Sequence, residues 1–177
     1  MKSARRSAQA LGRMPAAFHI EPIDHRALPI AQQVHAVQMS AYTQEAQLLG
    51  ANYFPPLERT VDDVRTSAEE FLAAFIGDEM VGAVSVWPDR EGMGVNIASL
   101  VVAPHFQRRG IGKRLLATVL AERGCGELTV QTGAKNLPAL ALYAQAGFVE
   151  LRRWLVGREP LELVKLHRPA GSNDNAA

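Results

Sequence analysis

The order of apolar runs predicts an α/β fold of the mixed, α+β kind: a central sheet of about six or seven strands flanked by about four helices. Three observations carry that expectation. Phe71 to Ile76 and Met80 to Trp87 are apolar runs around Gly77-Asp78-Glu79, the pattern of a hairpin. Val95 to Val102 reads as a largely buried strand stopped by Ala103-Pro104, and a basic glycine turn then leads into helically spaced apolar residues from Lys113. Beyond it the pattern runs strand, helix, strand, strand. Antiparallel strands followed by a strand–helix–strand unit describe a mixed sheet with helices on both faces.

The chain has 177 residues and a formal net charge of +1, the size of one ordinary domain and no bulk signal for a polyanion partner. Its single cysteine, Cys125, rules out an internal disulfide and suits a reducing cytoplasm. No uninterrupted apolar run is long enough to span a bilayer, so no membrane partner is expected. Residues 1–17 are rich in Ala, Ser and Arg without an acidic group and read as a disordered extension; 18–168 read as the domain and 169–177 as a flexible tail.

Phe18 to Ile23 alternates as a first strand, and Pro22 confines it to an edge or a strand end. Pro29 to Leu49 carries Ile30, Val34, Val37, Ala41 and Leu48 at helical spacing and is closed by Gly50 and Asn52. Pro55-Pro56 breaks any helix. Val61 to Ala68 then forms a second one, with Thr60 as cap and Asp62-Asp63 in its first turn. Pro88 to Gly92 is a turn into the Val95 strand. Glu127 to Thr132 is the next strand, Leu137 to Ala146 a helix led by Asn136, and Phe148 to Val156 with Leu161 to Leu166 a closing hairpin around Gly157 to Pro160.

The turn Gln107-Arg108-Arg109-Gly110-Ile111-Gly112 before Lys113 has a physical use. Helix starts present amides without helical partners together with partial positive charge, which receives phosphate oxygens. Gly110 and Gly112 would keep side chains away from those amides, while Arg108, Arg109 and Lys113 add charge. A P-loop is excluded, because Gln107 stands where its first glycine belongs and Arg114 where its Ser or Thr belongs. A dinucleotide fingerprint fails at Leu115, where a third glycine is needed.

Gln107 to Gly112 matches a Q/R-x-x-G-x-G/A signature. It is preceded by Leu100-Val101-Val102-Ala103-Pro104 and followed by a strand, Asn136, Leu142-Tyr143 and Gly147-Phe148. In that sequence of features the chain resembles the GNAT superfamily of acyl-CoA-dependent N-acetyltransferases, over about Phe18 to Arg168. The resemblance implies the GNAT fold, acetyl-CoA as co-substrate and no metal, with the acetyl group passing to a primary amine by direct attack in a ternary complex. It implies that Gln107, Arg108, Arg109, Gly110, Ile111, Gly112 and Lys113 bind the diphosphate. Backbone groups of Leu100, Val101 and Val102 would bond the pantetheine where two strands diverge, as would Asn136. Tyr143 stands at the position of the general acid. The two early helices would cover the acceptor side, with Tyr42, Glu45, Tyr53 and Phe54 as residues to watch.

The general base is where the chain departs from histone-type members, which carry a glutamate where this sequence has Asn96. Asparagine takes no proton at neutral pH but can hold a relaying water. Glu45, His25, His35 and His105 are other sources, and no base is assigned from the sequence. The acceptor is open between a small-molecule amine and a protein amino group, and the apolar residues of Trp154 to Leu166 allow a homodimer. Two other functional classes fit the sequence less well. An acyl-CoA sensor without turnover is opposed by Tyr143. A nucleic-acid-binding domain, suggested by Arg5, Arg6, Arg108, Arg109, Lys113, Arg114, Arg152 and Arg153, is opposed by the near-zero net charge.

Overall fold

The computed structural model describes residues 17–88, 94–123, 126–157 and 160–171. The extension up to residue 16, most of the Pro88 to Gly92 turn, Cys125, the middle of the last hairpin's turn and residues 172–177 lie outside the described residues.

Among the described residues, four α-helices flank one seven-stranded sheet. The strands are β1 (His19–Ile23), β2 (Glu70–Ile76), β3 (Glu79–Pro88), β4 (Gly94–Val102), β5 (Glu127–Gly133), β6 (Val149–Val156) and β7 (Leu161–Arg168). The helices are α1 (Leu28–Leu49), α2 (Val61–Thr66), α3 (Ile111–Arg123) and α4 (Leu137–Gln145). Strand order is β1-β2-β3-β4-β5-β7-β6, so the closing hairpin enters with its second strand inward, against β5. The expected mixed sheet is therefore present. β1 lies at an edge, where Pro22 withholds no donor from an interior ladder.

Successive residues of a strand point to opposite faces, and the core divides accordingly. Ala73 packs with Ala31, Val34 and Val37 of α1 and Val64 of α2, whereas its neighbour Ala74 packs with Ile111, Leu115, Leu116 and Val119 of α3. Tyr143 of α4 belongs to the α3 side. The sheet thus separates two helical layers.

Local chemistry explains the helix ends. The Thr60 hydroxyl accepts from the Asp63 amide at 3.1 Å while the Asp63 carboxylate accepts from the Thr60 amide at 2.7 Å, a complete capping box. α2 stops at Thr66, two residues short of the expected Ala68. Pro55–Glu58 forms a short 3-10 turn, a form that a proline pair does not prevent. α3 begins at Ile111 and not at Lys113, which puts Gly112 inside the first helical turn.

Two features of β4 matter for function. Ser85 faces Ser99 across the ladder and Val86 faces Ile97, so Ala98 is an extra residue, a bulge. β4 runs parallel to β5 only from Gly94↔Glu127 to Ile97↔Val130. Beyond the bulge the two strands part.

Candidate active site

Where β4 and β5 separate, the sheet has an opening, and a cleft of about 560 Å³ occupies it. Side chains from the two helical layers, elsewhere divided by the sheet, meet there. Tyr42 and Glu45 come from α1, Tyr143 and Asn136 from α4 and its cap, Asn96 to Leu100 from β4, and Val130 to Gly133 from β5.

Tyr143 is 4% exposed, its ring 5.4 Å from that of Phe148. Burial raises its phenol far above the usual range, and the charge of Glu45 and the neighbouring Tyr42 push the same way. The phenol is therefore protonated at neutral pH. Burial likewise pushes the Tyr42 phenol up to about 12, against a lowering hydrogen bond to Ser99. Glu45 is raised above the ordinary carboxylate range by burial, against hydrogen bonds from Asn136 and Thr132.

Asn136 makes two side-chain bonds that fix its orientation. Its Oδ1 accepts from the Ala139 amide at 3.2 Å, capping α4, and its Nδ2 donates to Glu45 Oε1 at 2.9 Å. The residue whose family counterpart bonds pantetheine thus also ties α4 to α1. Asn96 is also committed: Oδ1 accepts from the Trp87 indole at 3.0 Å and Nδ2 donates to Thr129 Oγ1 at 2.9 Å, a strap across β3, β4 and β5. Tyr53 is 64% exposed, bonds Glu58 at 3.1 Å and does not line the cleft, whereas Phe54 does. His25 and His35 bond the Ser67 and Arg59 carbonyls and stand outside the cleft lining.

The basic loop leads from the end of β4 to α3. Gln107 Nε2 donates to the Val102 carbonyl at 3.1 Å and to Gln44 Oε1 at 2.7 Å, binding the loop to β4 and α1. Arg109 donates to the His105 carbonyl at 3.1 Å with its guanidinium over the Phe106 ring, 5.1 Å from the centroid. The first helical bond runs from the Arg114 amide to the Gly110 carbonyl at 3.0 Å, so the amides of Ile111, Gly112 and Lys113 head the helix without helical partners. Ile111 anchors that start, its side chain 1% exposed in the core.

The glycines act differently from each other. Gly110 has φ +81°, and a Cβ there would meet no atom within 4 Å, so conformation requires the glycine and not lack of room. At Gly112 a Cβ would touch Val102, Leu100 and Leu142 at 3.6–3.8 Å, filling the apolar wall beside the helix start. Arg108 is left-handed as well, with φ +62°. Left-handed residues in such a turn aim successive amides into one concavity suited to anions.

The sequence did not single out the ion pair in the cleft wall, Arg59 Nη2 to Glu69 Oε1 at 2.8 Å, with Glu69 only 6% exposed. Nor did it flag the buried chain under the bulge, in which Gln38 donates to Ser99 at 3.3 Å and Ser99 meets Ser85 at 3.0 Å. Neither leaves a periodic signal, because the partners come from different elements. Among the described residues, no group of three or more His, Cys, Asp or Glu is placed to hold a metal ion, and no helix is long and apolar enough to cross a membrane.

Comparison with known proteins adds the family. The model of the acetyltransferase (GNAT) family matches residues 32–148. The UPF0157 protein YqkA of Bacillus subtilis is 35% identical over 73% of this chain and 37% of its own length. Aminoglycoside N(6')-acetyltransferase type 1 of Stenotrophomonas maltophilia is 28% identical over 76% of this chain and 95% of its own. Among solved structures, yncA of Salmonella typhimurium with its cofactor acetyl-CoA aligns with a TM-score of 0.66 at 16% identity, over 89% of this chain and 96% of its own. The chain spans about a third of the length of several curated relatives that it matches.

Proposed function

The chain belongs to the acetyltransferase (GNAT) family, and from that premise we propose that it transfers an acetyl group from acetyl-CoA to a primary amine, both bound at once. The observation that carries the reading is that one residue, Leu100, borders both parts of the site. It stands with Val102 and Leu142 beside Gly112 at the bare amides of α3, and it lines the cleft that holds Tyr143 in the opening between β4 and β5.

The residues present fit the co-substrate. The amides of Ile111 to Lys113, with Arg108, Arg109 and Lys113, would hold the diphosphate. The edge of β4 released by β5, at Leu100 and Val101, offers backbone groups to the pantetheine amides, as an added strand would. The Val102 carbonyl already accepts from Gln107. Acetyl-CoA supplies the activated acyl group. Backbone amides of β4 polarise its carbonyl, and Tyr143 protonates the departing sulfur.

The acceptor we propose is an amine on a small molecule or on a protein, delivered from the side of α1 and α2. We place the catalytic domain at 18–168 and the activity in the cytoplasm, a compartment that a chain with Cys125 as its single cysteine suits. A second copy of the chain is the proposed occupant of the β6 edge, where Val149, Leu151 and Leu155 are exposed; sedimentation at increasing concentration should show a dimer.

The test is acetyl-CoA calorimetry followed by a CoA-release screen over kanamycin, spermidine and an N-terminally free tetrapeptide. Binding with release on at least one amine is the expected outcome, whereas binding with no release on any amine would favour the sensing module. A variant separates loop strain from loop function. Left-handed geometry costs Arg108 about 1–2 kcal/mol, and a glycine's extra freedom when unfolded costs about 0.4–1 kcal/mol. Arg108→Gly should therefore melt at or slightly above wild type and yet bind acetyl-CoA about five- to tenfold more weakly, having lost an exposed charge. Weaker binding with lower stability would mean that the side chain supports the loop.

A further inference from the structure

We propose that Glu45 is the proton acceptor for the incoming amine, held by Asn136 in the same cleft as the acid Tyr143; this inference rests on the acetyltransferase reading. Among the described residues, the cleft wall contains two carboxylates, Glu45 and Glu69. Glu69 is committed to Arg59 at 2.8 Å, whereas the donors to Glu45 among the described residues are neutral, Asn136 Nδ2 at 2.9 Å and the Thr132 hydroxyl. Because Asn136 Oδ1 is taken by the Ala139 amide, the Nδ2 group must be the one facing Glu45, so the carboxylate is oriented by the cap of the helix that carries Tyr143. Asn96 spends its amide on Trp87 and Thr129, and His25 and His35 stand outside the cleft lining.

The groups that face Glu45 make it a better base than a carboxylate in water. Tyr42 on its own helix and Tyr143 on α4 are both neutral phenols with raised values, and burial opposes the charged form of Glu45. Arg59 and Glu69 line the same cleft as an ion pair of zero net charge. The difference in basicity between an ammonium and its acceptor, unfavourable in water, is thereby narrowed.

The proton balance closes. An ammonium gives one proton to Glu45, the freed nitrogen forms its bond to the thioester carbon, and the carbon–sulfur bond breaks. Tyr143 gives its proton to the sulfur, and the second proton leaving nitrogen restores the phenol. Glu45 later releases its proton to solvent. The charge of Glu45 opposes proton loss by Tyr143, so once Glu45 is protonated that opposition is gone and the acid is primed when the sulfur needs it.

The experiment uses the full chain, acetyl-CoA and whichever of kanamycin, spermidine or the tetrapeptide releases CoA fastest. Glu45→Gln, which preserves shape, is expected to lower kcat/KM about a hundredfold at pH 7 and to abolish the acid limb of its pH profile, leaving acetyl-CoA affinity within about twofold. Glu45→Asp should keep the limb at a reduced rate. A Glu45→Gln enzyme with the wild-type rate and limb overturns the assignment, as does a Glu45→Asp enzyme without the limb. Should the wild type itself acetylate none of the three amines, the acetyltransferase reading fails and this assignment falls with it. That result is distinct from an active wild type with an unaffected Glu45→Gln variant.

Discussion

Tyr143→Phe is expected to lower kcat about a hundredfold while leaving acetyl-CoA affinity nearly unchanged. General acid catalysis contributes about 10²–10⁴ in rate, and the low end applies because a thiolate is already a tolerable leaving group. Its conjugate thiol has a pKa of roughly 8.5, if CoA resembles cysteine. For the same reason the deficit should narrow at alkaline pH, where the thiolate needs no proton to be stable. The wild-type phenol, raised well above its usual range by burial, stays protonated throughout that interval. Phenylalanine keeps the ring against Phe148, so the core around α4 is preserved and the loss is chemical. Steady-state kinetics from pH 6 to about 9.5, with binding measured in parallel, decide it. An unchanged kcat across that interval would leave Tyr143 a packing residue and move the acid elsewhere.

Much of this arrangement could be read from the chain because its signals are local. Thr60 with Asp63, Asn136 before Pro138, and Gly110 before a run of helical spacing each announce a helix end within four residues. The split between β4 and β5 followed from the family resemblance and is visible in the register, which stops at Ile97↔Val130. What escaped the sequence is tertiary. Gln107 belongs to the expected phosphate loop, and its side chain also ties that loop to Gln44, 63 residues earlier, a contact with no local signal. Asn136 and Glu45 lie 91 residues apart and meet only because the sheet opens between their helices. The inward position of β7 and the pairing of Arg59 with Glu69 likewise depend on packing, to which periodicity is blind.

That ion pair supports the second large effect. Arg59→Ala is expected to cost about 3–5 kcal/mol of folding stability, because it strands a carboxylate that is 6% exposed. Glu69 Oε2 already finds no hydrogen-bond partner among the described residues, so the Arg59 guanidinium is the compensation that the group has. Against a total stability of about 5–15 kcal/mol the loss is large, and for a domain of this size it corresponds to a fall in Tm of roughly 6–20 °C. Arg59→Met with Glu69→Leu replaces the pair by apolar groups and should recover most of the loss, since an apolar pair of similar volume is often as stable as a buried salt bridge. Acetyl-CoA affinity should stay constant in both variants, because the pair stands in the acceptor-side wall of the cleft, whereas the proposed diphosphate contacts begin at α3. Thermal melts with calorimetry on the same samples separate the two quantities. An Arg59→Ala protein melting within about 2 °C of wild type would mean that Glu69 does not depend on its partner, and the wall of the cleft would then have to be held by the capping box at Thr60 and the bond from His35 to the Arg59 carbonyl.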